Sequence, residues 1–182
     1  MSKKGDCQGL ASNSGHASIG HSLINSLRTA MEPEADHSLS ESNSVSRQVL
    51  HVEPNADCRF LVSTLLQLHG YVVTSACTAR QAREIIAGEP FDAYILDNSP
   101  FDQSGIDLCR HICGLNKDAP VIFYSGAAYR FDIEQGLEAG AMEYLTKPCG
   151  IEVLTDTLAL VIHGRKLHEL ELERKRETPR SF

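Results

Sequence analysis

The chain has 182 residues, 42% of them apolar, which suits one globular domain with a real core plus extensions. A formal net charge of -7 argues against a nucleic-acid surface, which needs a clustered basic face, and favours protein partners or small anions held locally. No cationic start leads into an apolar run of signal-peptide length and no stretch reaches membrane-spanning length, so the reading is no membrane and a cytoplasmic location.

Residues 1–46 are rich in Ser, Gly, Asn and His and poor in aromatic and β-branched residues, a composition that reads as a mostly disordered extension. Within it Ile19, Leu23, Ile24, Leu27 and Met31 recur at helical spacing, which suits a transient amphipathic helix or a docking helix.

From Gln48 five strand-then-helix units follow, the pattern of a parallel sheet covered by helices on both faces. The first strand is Val49 to Glu53, and the helix after it carries Cys58, Leu61, Val62, Leu65 and Leu66 as a stripe that should face the sheet and stops at Gly70. Strand two is Tyr71 to Ala76, after which Thr78 caps a helix with Ala79, Ala82, Ile85 and Ile86 inward. Strand three, Ala93 to Leu96, delivers Asp97 to its tip; the next helix, from about Ser104, buries Leu108, Cys109 and Ile112. Strand four, Val121 to Tyr124, ends in Ser125 and Gly126, and Ile133 and Leu137 mark a fourth helix. Strand five, Met142 to Leu145, leads into Thr146, Lys147 and Pro148, and a last helix from near Ile151 buries Val153, Leu154, Leu158 and Val161. Beyond Gly164 the chain reads as a charged helical tail, residues 165–182, with Glu171 and Lys175 spaced for an i, i+4 pair.

Right-handed crossovers put all five strand ends on one sheet edge, where Glu53, Asp97, Ser125 and Lys147 converge. That edge is where ligands and chemistry sit in an open α/β sheet, and a carboxylate there is either a loop-stabilising cap or a reactive group.

In the spacing from Asp97 to Gly105, the pair Ser125 and Gly126, and the YLTKP run from Tyr144 to Pro148, residues 47–164 resemble the receiver domains of bacterial two-component response regulators. The resemblance implies a doubly wound, flavodoxin-like α/β fold with five strands in the order 2-1-3-4-5 and five helices. It implies that Asp97 accepts a phosphoryl group from a histidine kinase or phosphotransfer protein with help from Mg²⁺, that Lys147 neutralises the phosphoryl oxygens, that Ser125 swings toward them and that Tyr144 fills the vacated space. Glu53, Asp97 and the carbonyl of Ser99 are the metal ligands it implies. The resulting expectation is a stand-alone receiver, not an enzyme beyond its own phosphorylation and dephosphorylation, that signals to a downstream protein target; homodimerisation stays open.

The sequence departs from the family where two adjacent acids usually follow the first strand: here HVEPN keeps Glu53 but puts Pro54, which has no side-chain oxygen, in the second place. Weaker Mg²⁺ binding follows, and the competing reading is a degenerate receiver that acts as a phosphorylation-independent interaction or dimerisation module. The loop NSPFDQSG also carries its proline one place early. His51 reads either as a pocket partner or as a satisfied core histidine, Asn55 and Asp57 either as substitutes for the missing metal ligand or as helix caps, and Cys149, beside Lys147, as a thiol open to a lowered pKa. The CRHIC run from Cys109 to Cys113 has helical spacing that suits either a metal or the core stripe.

Overall fold

The structure, a computed structural model, describes residues 47–88, 90–98 and 104–177. The expectations for residues 1–46, for Ser99 and the rest of the loop at 99–103, and for the side chain of Lys175 fall outside the described residues.

Five strands alternate with five helices: β1 (Arg47–Val52), α1 (Ala56–Leu68), β2 (Tyr71–Ala76), α2 (Ala79–Ile86), β3 (Ala93–Leu96), α3 (Ser104–Leu115), β4 (Val121–Ser125), α4 (Arg130–Glu138), β5 (Glu143–Thr146) and α5 (Ile151–Glu177). Every strand pairing is parallel and the order is β2-β1-β3-β4-β5, the flavodoxin-like arrangement that the alternation implies. The chain steps outward from β1 to β2 and then reverses to β3, so the switch point lies between β1 and β3, at the strand ends that carry Glu53 and Asp97.

Successive strand residues point to opposite faces, and this sorts the core into two layers. Leu50, Val52, Leu96 and Phe123 pack with Ala82, Ile106, Leu108, Cys109 and Ile112 under α2, α3 and α4. Val49, Ile95 and Ile122 pack with Val62, Leu66, Leu154, Leu158, Val161 and Ile162 under α1 and α5. Gly70, at φ 84°, takes the left-handed conformation that ends α1 where the sequence places a stop. Thr78 caps α2 by accepting from the Gln81 N–H at 3.1 Å.

Some boundaries and faces differ from those expected. β1 ends at Val52 and leaves Glu53 one residue beyond the strand, and β5 runs Glu143–Thr146. Leu61, expected against the sheet, is 58% exposed, whereas Val62, Ser63 and Leu66 are buried. The cause is polar: Ser63 Oγ lies 3.1 Å from His51 Nδ1 and 2.8 Å from Ser75 Oγ, so the buried arc of α1 takes in Ser63 at one edge, is centred near Leu66 and leaves Leu61 facing outward. Val153 is likewise exposed, while Leu154, Leu158, Val161 and Ile162 make the inner face of α5. That helix continues past Gly164 to Glu177 without a break.

Candidate functional site

Glu53, Asp97 and Lys147 each stand at or just past the end of a strand, and each extends the sheet ladder. Their amides donate to Ala76 O at 3.0 Å, Val52 O at 2.9 Å and Ser125 O at 2.8 Å. Because the ladder continues, the pleat still decides where the side chains point. Glu53 is in step with Val49, Asp97 with Ile95 and Lys147 with Leu145, all on the α1/α5 side. There the Lys147 ammonium donates to Asp97 Oδ1 at 3.0 Å and to Glu53 Oε2. It also lies 5.1 Å from the centre of the Tyr124 ring, within cation–π range. Burial alone would lower the Lys147 pKa; the hydrogen bonds to Glu53 and Asp97 outweigh it and hold the ammonium above the ordinary lysine value.

Glu53 is only 3% exposed. Its Oε1 accepts the Asn55 N–H at 2.8 Å while Oε2 meets Lys147, so both oxygens are engaged. Asn55 Oδ1 in turn caps α1 by accepting from the Cys58 N–H at 2.9 Å, the duty its position suggests. The Arg59 guanidinium donates to the carbonyls of Glu53 at 2.6 Å and Pro54 at 3.1 Å and pins the turn between strand and helix.

Ser125 and Tyr144 fall on the opposite pleat, toward α2, α3 and α4. Ser125 is fully buried; its hydroxyl donates to Asn98 O at 2.7 Å and accepts the Ala127 N–H at 3.2 Å. The Tyr144 hydroxyl donates to Ala127 O at 2.7 Å, and its ring stacks on Phe123 with centres 5.3 Å apart. Burial raises the Tyr144 pKa, which keeps the phenol a donor. The structure therefore joins Lys147, Asp97 and Glu53 directly, and ties Ser125 and Tyr144 to them through the backbone of Asn98 and Ala127.

Sequence reasoning missed Asn98, Tyr124 and Arg59. Alternation from Ser125 would have found Tyr124, which must lie on the Lys147 side of the sheet; Arg59 carries no such signal, because its reach back to residue 53 depends on the turn at Pro54. His51 is a satisfied core histidine: burial, and then the positive charges of Lys147 and Arg59, lower its pKa to about 3. Cys149 does not have the lowered pKa that its neighbour suggested, because burial pushes its thiol up. Cys109 is buried in the core stripe, its thiol toward Ala139 O at 3.6 Å.

Fold and site together define a doubly wound α/β module with an acid–lysine cluster at its topological switch point. The family model of the response regulator receiver domain matches residues 49–159, and the chain belongs to that family. It is 33% identical over 122 residues to the response regulator protein PilR of Pseudomonas aeruginosa, a match covering 66% of this chain and 27% of that protein. It is 34% identical over 125 residues to the two-component response regulator ARR10 of Arabidopsis thaliana, covering 68% and 22%. The CheY-like receiver domain protein of Methanospirillum hungatei has the same fold, with a TM-score of 0.64 at 23% identity over 68% of this chain and 98% of that one. The chain spans about a quarter of the length of PilR and of ARR10.

Receiver domains are generally non-enzymatic modules of two-component signalling that bind Mg²⁺ at their phosphorylation site. Among the described residues the side-chain donors do not fit that ion. Glu53 is buried with both oxygens engaged, Pro54 offers no side-chain donor, and Asp97 Oδ1 is held by Lys147. Among the described residues no group of three or more His, Cys, Asp or Glu is arranged to hold a metal, and no helix is long and apolar enough to cross a membrane.

Proposed function

We propose that the chain is a receiver that accepts a phosphoryl group on Asp97 from a histidine kinase or phosphotransfer protein and passes the signal on through protein contacts. The observation that carries this reading is the ion pair of Lys147 with Asp97 at the switch-point edge, which sets a fixed cation beside the carboxylate that would attack phosphorus. An Asp97 oxygen forms the new P–O bond as the donor's P–N bond breaks, and the nitrogen leaves with a proton. Lys147 then meets the phosphoryl oxygens. Ser125 turns from the Asn98 carbonyl toward them, and Tyr144 follows through Ala127. The change reaches partners at the surface formed by α4, β5 and α5, a two-state element biased by the added charge.

The module spans residues 47–164. It works in the cytoplasm, and its target is a protein rather than nucleic acid. A second reading, a phosphorylation-independent interaction module, is favoured by one observation: the engagement of both Glu53 oxygens by Asn55 and Lys147 beside Pro54. Incubation with acetyl phosphate followed by mass measurement separates the two. Addition of one phosphoryl group to the wild type and none to Asp97→Asn supports the first; an unlabelled wild type supports the second.

A further inference from the structure

We infer that this receiver's acid pocket carries its own cation, Lys147, and does not take up Mg²⁺ at millimolar concentration. The inference rests on Asp97 and Lys147 forming the site proposed above and concerns only what neutralises it.

The ammonium is fixed from three sides. It donates to Asp97 Oδ1 at 3.0 Å and to Glu53 Oε2, and the Tyr124 ring lies beneath it with its centre 5.1 Å away. Its side chain is only 20% exposed, so the charge is poorly screened by solvent. Two carboxylates against one ammonium leave a formal charge of about -1, half the attraction that two unpaired acids would exert on a divalent ion. Ligand supply points the same way. Mg²⁺ demands near-octahedral oxygen coordination and gives up water reluctantly. To bind Glu53 it would have to compete with Lys147 and the Asn55 N–H for a carboxylate that is only 3% exposed. Pro54 provides no replacement side-chain oxygen, and its carbonyl already accepts from Arg59. The same chain position that loses a ligand therefore leaves Glu53 for the lysine, and Tyr124 acts as a positioning residue that holds the ammonium over the pocket.

The experiment is a titration of the full chain with MgCl₂, following amide NMR shifts at Asn98, Ser125 and Lys147, on the wild type, Pro54→Asp and Lys147→Met. The wild type should show no saturable shift up to about 10 mM, while Pro54→Asp and Lys147→Met should each bind at least about tenfold more tightly than the wild type. Saturation of the wild type at or below about 10 mM overturns the inference. Pro54→Asp binding as weakly as the wild type overturns the part assigned to the missing ligand, and an unchanged Lys147→Met overturns the part assigned to the ammonium. If either variant fails to fold, the wild-type titration decides alone. Phosphoryl labelling of Asp97 in chelator is a separate readout: a label absent with and without Mg²⁺ removes the proposed acceptor role and leaves the metal result standing, whereas a label that requires Mg²⁺ counts against the inference alone.

Discussion

Gly105 lies directly beneath Asp97: a Cβ there would collide with the Asp97 carbonyl oxygen and stand 3.4 Å from Asn98 Cα. The start of α3 is thereby pressed against the strand end that delivers the acid, and the obstacle is backbone, which cannot rotate aside. Gly105→Ala should cost about 1–3 kcal/mol in urea unfolding, the usual range for overpacking. It should also displace Asp97 and so weaken its contact with Lys147. An unchanged unfolding midpoint would show that the segment yields.

Tyr144 is held as tightly from the other side. A Cβ at Gly136 would stand 2.7 Å from Tyr144 Cδ2 and 3.0 Å from Phe123 Cδ2, so α4 touches the ring with no room to spare. Gly136→Ala should therefore move the ring, and Tyr144→Phe should remove only the hydroxyl that Ala127 O accepts. The second change should cost about 0.5–1.5 kcal/mol, the net worth of one hydrogen bond, with the fold retained. If Tyr144→Phe left stability unchanged, the bond to Ala127 would have no energetic role.

His51 makes stability depend on pH. Its pKa falls from 6.5 to about 3 on folding, because burial and then the nearby Lys147 and Arg59 charges disfavour the imidazolium. The unfolded chain therefore binds the proton first. The stabilisation is present above pH 6.5 and is lost as pH falls toward 3, with a limiting slope of about 1.4 kcal/mol per pH unit. Between pH 6.5 and 5 this single group should cost about 1.5 kcal/mol. His51→Gln, compared with the wild type by urea unfolding at both pH values, should remove that loss. Parallel pH profiles for the two proteins would exclude His51 as its source.

The order of elements and the strand-end positions of Asp97, Ser125 and Lys147 were legible because each strand is a short apolar run closed by a turn residue, a signal carried by period alone. Which side of the sheet each site residue takes also follows from alternation, and this divides Lys147 and Glu53 from Ser125 and Tyr144. Helix faces were less legible. Leu61 and Val153 fit a 3.6-residue stripe as well as their buried neighbours do, and only partners distant in sequence choose between them: Ser75 and His51 for α1, and the sheet for α5. The pairing of Glu53 with Lys147 joins residues that no local pattern links. Loss of an acid at Pro54 announces a poorer metal site, but not that a lysine takes over the remaining carboxylate.

Removing that lysine should be costly. Lys147→Met leaves Glu53, 3% exposed, with the Asn55 N–H and no cation. Breaking a buried pair from one side typically costs about 3–5 kcal/mol, and because Lys147 is 20% exposed the low end, about 3 kcal/mol, applies here. Glu53→Gln alone should cost less, since Asp97 still accepts from the ammonium at 3.0 Å. In the double variant the uncompensated carboxylate is gone, so Lys147→Met should be milder on the Glu53→Gln background than on the wild type, with a coupling of about 1–3 kcal/mol in a double-mutant cycle. Additive losses would mean that Glu53 and Lys147 do not stabilise one another, and the three-sided hold on the ammonium would reduce to Asp97 and the Tyr124 ring.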